Sequence, residues 1–390
     1  MKVFIGTTDI TSRIRDLTRE LHRRGIETLT AKRGHSPKEI SPTDFVYDRD
    51  RHDRWCQRLP RPARLLVSKS PFGFERRLLD RAIAECDLFV FLWSSIYADR
   101  SDYRLLHAAG KPIVTLFVGS DIRSQAAAAI EFEAAGITFP NPQDNPRQFA
   151  RRIAYADLAE RYSEAIFSRP DQSQLLRRPY HRMVPAIDPA DVTAKVPGRR
   201  RPLVVCGSSS NPIKGGAAIE VAIAQLRSER VAFDFRRIAG VDQFEARQIL
   251  TDADIAIDQL VLPGGGKLTV EAMAAGCVNC TLMGFDRYPQ LYPERPPVVD
   301  VSAATLTERL RELIQDRDRR VALAEQGPGF VAQHAAIGPF VDRILGSAGF
   351  GKTWLDPDCI PTFLQRPELT GQMPPRYRRM LRSHMTAVAN

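Results

Sequence analysis

No apolar run in the chain approaches the roughly 18 to 20 residues needed to cross a bilayer. Its start, MKVFIG, leads into a polar helical pattern rather than a signal peptide. Cysteine is sparse, with six scattered residues, which fits reduced thiols in the cytoplasm and argues against a disulfide framework. Histidine is nearly as scarce: seven in 390 residues, none of them in a glycine-rich loop. No Asp/His cluster of metal-ligand type appears, so neither a metal nor another cofactor is expected.

What is present is ordinary in bulk and unusual in charge. A hydrophobic share of 43% and a charged share of 26% are those of a globular protein. At 390 residues the chain exceeds what one hydrophobic core usually serves, so two domains are expected. The net charge of +10 is carried largely by arginine and favours polyanions: lipid headgroups, nucleic acid or the diphosphate of a substrate.

Residues 2–5 form a short apolar run followed by Gly6, Thr7, Thr8 and Asp9, and then by a helical pattern of Ile14, Leu17, Thr18 and Leu21. Gly25 stops that helix and residues 26–29 begin another strand, which opens a doubly wound α/β domain. One glycine in the first loop is too few for a dinucleotide fingerprint, so Gly6, Thr7 and Asp9 are predicted to line a cleft on the acceptor side. Residues 49–64 interleave arginine with Trp55, Pro60 and Pro62; they read either as a solvated face or as a patch for anionic lipid or glycan. The run LFVFLW, 88–93, is a strand buried on both faces. A further strand, 112–118, ends on Gly119, Ser120, Asp121, Ile122 and Arg123. Polar residues at such a strand end are ligand candidates, so Asp121 and Arg123 are either acceptor contacts or an ion pair that shapes the loop. Residues 191–201, polar and basic, are the expected linker.

The second half is richer in glycine. Strand 202–206 opens onto a loop that holds Ser209, Asn211, Lys214 and Gly215, and Lys214 is either simply exposed or aimed at a phosphate. A helix, a strand and the turn Gly240-Val241 follow. Then comes the most informative stretch, ILTDADIAIDQLVLPGGGKLTVEAMAAGCVNCTLM, 249–283. It reads as a short buried strand, three glycines (Gly264, Gly265 and Gly266), and a helix opening with Lys267, Leu268 and Thr269 and carrying Glu271. A glycine loop feeding a helix N-terminus suits phosphate, and a carboxylate inside that helix can accept hydrogen bonds from both hydroxyls of a ribose.

Two motifs are set aside. GSAGFGKT, 346–353, matches a P-loop letter for letter, but an amphipathic helix precedes it where a strand is needed and Pro357 follows. Cys277 and Cys280 have CxxC spacing inside a strand with no second pair nearby, which fits buried small residues. The basic tail after Trp354 is expected to cross back onto the first domain.

With NPIKGG, DADIAIDQL and GGGKLTVEAMAAG in hand, residues 202–345 resemble the nucleotide-binding half of family 4-like GT-B glycosyltransferases, and YADLAERYSEAIFSRP with VPAID resembles their crossover. The resemblance implies an α/β GT-B fold, two Rossmann-like doubly wound domains facing each other across a cleft: 1–190 on the acceptor side, linker 191–201, nucleotide-sugar domain 202–345 and tail 346–390. It implies Lys214 at the donor diphosphate and Glu271 at the ribose, with Ser209, Asn211, Gly215, Gly240, Val241, Gly264, Gly265, Gly266, Lys267, Leu268 and Thr269 around the donor. Two positions depart from the pattern. Ser209 stands where relatives carry an arginine and Pro263 where they carry a sugar-facing glutamate, which leaves Lys267 and the glycine amides as substitutes.

The implied reaction is retaining, metal-independent transfer from a nucleoside diphosphate sugar to a glycan or lipid-linked acceptor. The chain would then be cytoplasmic or peripheral at the inner membrane face, with an anionic membrane surface as a further partner and no nucleic acid. The alternatives are a non-catalytic sugar-nucleotide-binding or partner subunit, which Ser209 and Pro263 favour, and a sugar-nucleotide epimerase of the same fold.

Overall fold

The computed structural model describes residues 1–33, 43–47, 60, 62–63, 66–67, 73–119, 121–133, 139, 145–207, 214–286, 288–351 and 354–386. The arginine-rich segment 49–64 lies almost wholly outside the described residues, as do Ser120, Ser209, Asn211, Lys352 and Thr353.

Two parallel sheets organise the chain. The first contains β1 Lys2–Thr7, β2 Glu27–Arg33, β3 Phe45–Tyr47, β4 Leu88–Leu92, β5 Ile113–Leu116, β6 Ala165–Ser168 and β7 His181–Arg182. Its seven strands run in the order β3-β2-β1-β4-β5-β6-β7, so the winding reverses between β1 and β4. Strand periodicity builds the core on both faces. Phe4, Phe89 and Phe91 point one way, onto Leu78, Leu79 and Ala82 of helix Phe74–Glu85. Val3, Ile5, Leu88, Val90 and Leu92 point the other way, onto Ile14, Leu17 and Leu21 of the first helix, Arg13–Arg23. Every residue of β4 is buried, as a strand covered on both faces requires.

The second sheet contains β8 Leu203–Gly207, β9 Asp234–Ile238, β10 Ile255–Ile257, β11 Val278–Thr281 and β12 Val299–Asp300. Its order is β12-β11-β10-β8-β9, and it reverses between β8 and β10. Both sheets are therefore doubly wound in the Rossmann manner. Cys277, at 2% exposure, and Cys280, at 0%, are core residues here, and burial pushes the Cys280 thiol up to about 12.

The chain crosses between the sheets at two adjacent points. Ile187 donates its N–H to the Ala335 carbonyl at 3.0 Å and accepts from Ile337 N–H at 2.8 Å. From there helix Ile337–Ser347 lays Ile337, Phe340, Val341, Ile344 and Leu345 on the first sheet, joined with Val3 and Ile5. This return comes earlier than the 346–390 tail of the sequence reading, because the apolar stripe of a helix does not say which sheet it covers. Gly346 and Ser347 belong to that helix, so GSAGFGKT begins inside a helix and lacks the strand that a P-loop needs. Helices Thr362–Gln365, Glu368–Gln372 and Pro375–Thr386 continue over the first sheet, burying Phe363, Leu369, Met373 and Leu381.

Candidate functional site

Parallel sheets offer ligands the carboxyl ends of their strands where the winding reverses. In the second sheet that place lies between β8 and β10; Lys214 and the three glycines follow those two strands, and the next helix carries Glu271. Gly215, at φ +79°, opens helix Gly216–Ser228, and a side chain there would lie 2.8 Å from Leu260 Cβ. The Lys214 ammonium is 39% exposed and stands 4.0 Å from Asp258 Oδ1.

Asp258, absent from the sequence-based set, is central to this geometry. It is 1% exposed at the end of β10. Its Oδ2 accepts the Gly266 N–H at 2.6 Å and the Thr269 hydroxyl at 2.8 Å, while Oδ1 has no hydrogen-bond partner among the described residues. Asp258 thus fixes the turn that enters helix Lys267–Ala274, through the amide of Gly266 just before the helix and the Thr269 side chain within it. The signal was a lone acid closing a central strand beside a glycine loop.

The glycine loop itself is held through its carbonyls. Gly264 and Gly265 have φ of +79° and +63°, and a Cβ on Gly265 would fall 2.3 Å from Thr269 Oγ1, so neither position tolerates a side chain. Arg169, beyond β6 on the first sheet, donates to the carbonyls of Pro263 at 2.7 Å and Gly265 at 2.9 Å. The Tyr292 hydroxyl donates to Gly264 O at 3.0 Å. Two of the three glycine amides are used internally, Gly264 on Leu282 O and Gly266 on Asp258. The expected cradle of three amides is therefore narrower than the sequence suggested. The Pro263 carbonyl accepts from Arg169, a backbone bond that any residue at this position could make.

Lys267 differs from expectation most. Its side chain crosses to the first helix, where Nζ donates to Asp16 Oδ2 at 2.8 Å and to Thr11 O at 2.5 Å. Burial lowers its pKa, with the Asp16 and Glu271 carboxylates working against that shift. Lys267 is consequently a link between the two sheets' helices, not a cation free to replace the arginine missing at Ser209. Leu268 packs on the end of β8, where a Cβ on Gly207 would meet its Cδ2 at 2.6 Å. Gly240, at φ +72° with open space around it, and Val241 lie at the end of β9, the outer strand beside β8.

Glu271 is 6% exposed and already engaged: Gln243 Nε2 and Arg247 Nε both donate to Oε1, each at 3.0 Å. Arg247 also donates to Asp191 Oδ2 at 2.8 Å, and Asp191 accepts from Arg19 and Arg15 of the first helix. Burial works against the Arg247 charge, but Glu271 and Asp191 outweigh it and hold the guanidinium above its ordinary pKa. A residue expected in the linker thus belongs to a charge chain ending at Glu271.

The acceptor-side residues are equally committed. The Thr7 hydroxyl bonds Ser94 Oγ at 2.7 Å and Ser95 O at 3.0 Å, at the reversal between β1 and β4. At Gly6 a side chain would lie 2.8 Å from Ala31 O. Asp9 accepts the Ile14 N–H at 3.1 Å. Asp121 closes its own loop by accepting from Val118 and Gly119 amides, and burial raises its pKa to about 6. Arg123 pairs with Asp171 at 2.7 Å, so the ion pair envisaged between Asp121 and Arg123 has a different partner. Asp171 also holds Arg169 at 3.0 Å, which ties this loop to the glycine loop.

At the level of sequence, no family model and no curated protein matches the chain. Solved structures do match. HepE of Anabaena, in complex with UDP and glucose, aligns at 13% identity and TM-score 0.55, covering 89% of this chain and 99% of its own. Sucrose-phosphate synthase of Thermosynechococcus elongatus gives 13% and 0.58, over 88% and 97%. WaaG, a glycosyltransferase involved in lipopolysaccharide biosynthesis, gives 14% and 0.52, over 89% and 100%. At such identities the likeness is one of fold. With two doubly wound sheets and near full-length alignment to these structures, the chain has the GT-B fold.

Proposed function

We propose that the protein is a glycosyltransferase that takes a sugar from a nucleoside diphosphate sugar and places it on a hydroxyl of a glycan, lipid-linked or other glycoconjugate acceptor. One observation carries the reading: at the reversal of the second sheet Lys214 stands 4.0 Å from Asp258, which holds the start of the helix that carries Glu271. That is the position at which a doubly wound sheet receives a nucleotide. The fold shared with HepE, which was solved with UDP and glucose, supports it.

In the proposed reaction the bond between the anomeric carbon and the diphosphate oxygen breaks, and its electron pair leaves with the diphosphate. The acceptor hydroxyl forms the new bond, and its proton passes to the departing phosphate oxygen. Stabilising charge on the leaving diphosphate is then the main task, and Lys214 with the helix N-terminus supplies it without a metal. Glu271 takes the ribose, giving up part of its bond to Arg247 or Gln243 as the hydroxyls arrive. Retention of the anomeric configuration and work at a membrane face belong to this reading as proposals.

A non-catalytic sugar-nucleotide-binding subunit is the second reading. It is favoured by Pro263, which has no carboxylate to offer the donor sugar. Incubation with UDP-, GDP- and ADP-sugars in the presence of EDTA separates the two. Release of nucleoside diphosphate that grows with added acceptor supports transfer, whereas binding without turnover of any donor supports the subunit.

A further inference from the structure

The first sheet reverses its winding between β1 and β4, and there β4 ends on Leu92 and the chain turns sharply. Ser94 donates its N–H to the Leu92 carbonyl, two residues back, at 2.6 Å, and Trp93 between them has φ 61°. This is a γ-turn of the strained kind, and a bulky side chain rarely sits at a positive φ. Glycine would make the same turn without that cost, so the strain calls for a reason in what the indole does.

The indole is half-buried, although Phe91 and Leu92 just before it are fully closed off. It abuts Gly119, just beyond β5. A Cβ on Gly119 would lie 2.4 Å from Trp93 Cζ3 and 3.3 and 3.4 Å from the two ring atoms beside it. Near-equal distances to those flanking atoms mean an approach along the ring plane, so Gly119 meets an edge of the indole and covers neither face. Among the described residues no aromatic ring or cation stacks on those faces. Hydroxyls adjoin the ring in the chain: Ser94 Oγ bonds the Thr7 and Thr8 hydroxyls, each at 2.7 Å, and Ser94 and Thr8 are half-buried like the indole. Arg33, which reaches the carbonyls of Ser95 and Ile96, is held there and by Glu75. The place therefore sets a π-face beside hydroxyls that both donate and accept, which suits a neutral polyhydroxylated ring better than a phosphate.

We propose that Trp93 is the platform for a pyranose ring, the sugar end of a glycan acceptor. The apolar C–H face of the sugar lies on the indole, and the sugar hydroxyls exchange hydrogen bonds with Ser94 and Thr8. Naming this sugar the acceptor rests on the function proposed above and narrows it to acceptors that end in a sugar ring; the binding of a pyranose at Trp93 does not rest on it.

The chain has three tryptophans, so Trp55→Phe with Trp354→Phe leaves Trp93 as the one indole and its emission as a direct report on the site. This full-length background is titrated with methyl α-glucoside, methyl β-galactoside and N-acetylglucosamine, and with glycerol as a polyol that has no ring face. Each is added alone and with UDP, GDP or ADP present. The platform predicts a saturable change in emission with at least one pyranose and none with glycerol. In calorimetry with that pyranose, Trp93→Ala weakens binding roughly tenfold or more and Trp93→Phe weakens it less. Gly119→Ala keeps the indole but drives a methyl into its edge, so it also weakens binding, and it carries the test where Trp93→Ala does not fold. Emission that no pyranose changes, or binding that neither Trp93→Ala nor Gly119→Ala alters, overturns the platform; nucleotide binding in the same calorimetry then leaves the proposed function standing. Trp93-dependent pyranose binding in a chain that binds none of the three nucleotides does the reverse. A chain that binds neither pyranose nor nucleotide overturns both.

Discussion

The ammonium of Lys267 lies 2.8 Å from the Asp16 carboxylate, joining the helix after the glycine loop to the first helix of the chain. The partners are 251 residues apart and nearly buried, at 7% and 1% side-chain exposure. A buried pair of this kind costs more to break from one side than it contributes as a whole. Asp16→Asn is expected to cost about 3–5 kcal/mol in urea unfolding, because it removes the carboxylate that the buried Lys267 ammonium bonds and leaves the Thr11 carbonyl. Lys267→Met is expected to cost less, since Arg15 still holds Asp16. The double variant should be less destabilised than the sum of the two, and strict additivity would show that the bond is not formed in solution.

Gly265→Ala tests the loop conformation. The new methyl meets Thr269 Oγ1 at 2.3 Å on a backbone with φ +63°. Relieving that contact pushes Thr269 off Asp258 and disturbs the turn into the helix. A loss of about 1–3 kcal/mol in stability is expected, together with weakened binding of UDP. Unchanged melting and unchanged affinity would mean that the loop adopts another conformation.

Arg169→Lys separates charge from geometry. A lysine keeps the positive charge near Asp171 but has no rigid fork with which to reach the carbonyls of Pro263 and Gly265 together. The variant should remain folded while hydrogen exchange of the amides at 264–267 quickens. Exchange as slow as in the wild type would deny the guanidinium its part in ordering the loop.

His181 gives a pH signature. It is 3% exposed and stacked on Phe167 at 4.8 Å, and burial lowers its pKa from 6.5 to about 4. The unfolded chain then binds the proton more readily between those values, so this residue's contribution is full above pH 6.5 and is lost as pH falls toward 4. The loss is on the order of 3 kcal/mol. Asp102 and Asp121, both raised to about 6 by burial, act in the opposite direction over part of that range. Comparison with His181→Phe cancels them. The variant's stability should fall less than the wild type's between pH 6.5 and 4, and parallel curves would contradict the assignment.

The layers of the fold were legible from local pattern. Continuous apolar runs such as 88–92 announce doubly covered strands, and glycine stops punctuate the helices between them. Around the site, Lys214, the three glycines and Glu271 could be placed because each sits at a strand end or in a helix start, and those are properties of neighbouring residues. Arg169, Arg247 and Asp16 could not be placed, because their partners lie far away in sequence, for Arg169 and Asp16 on the side of the other sheet. Lys267 shows the difference most plainly. Its position at the helix start was readable, but its direction is set by Asp16, which no local pattern connects to it. Asp258 falls between the two cases: it closes a strand in plain view, and its bonds to Gly266 and Thr269 are made across the loop that follows it.

The central claim is that a nucleoside diphosphate binds at the reversal of the second sheet, its diphosphate at Lys214 and its ribose at Glu271. Calorimetric titration of UDP, GDP and ADP with EDTA present, on the wild type, Lys214→Ala and Glu271→Gln, tests it most directly. The account predicts that at least one nucleotide binds the wild type and that both variants weaken it about tenfold or more. It further predicts that only Glu271→Gln weakens the bare nucleoside. Failure of all three nucleotides to bind the wild type, or binding that neither variant alters, would contradict it.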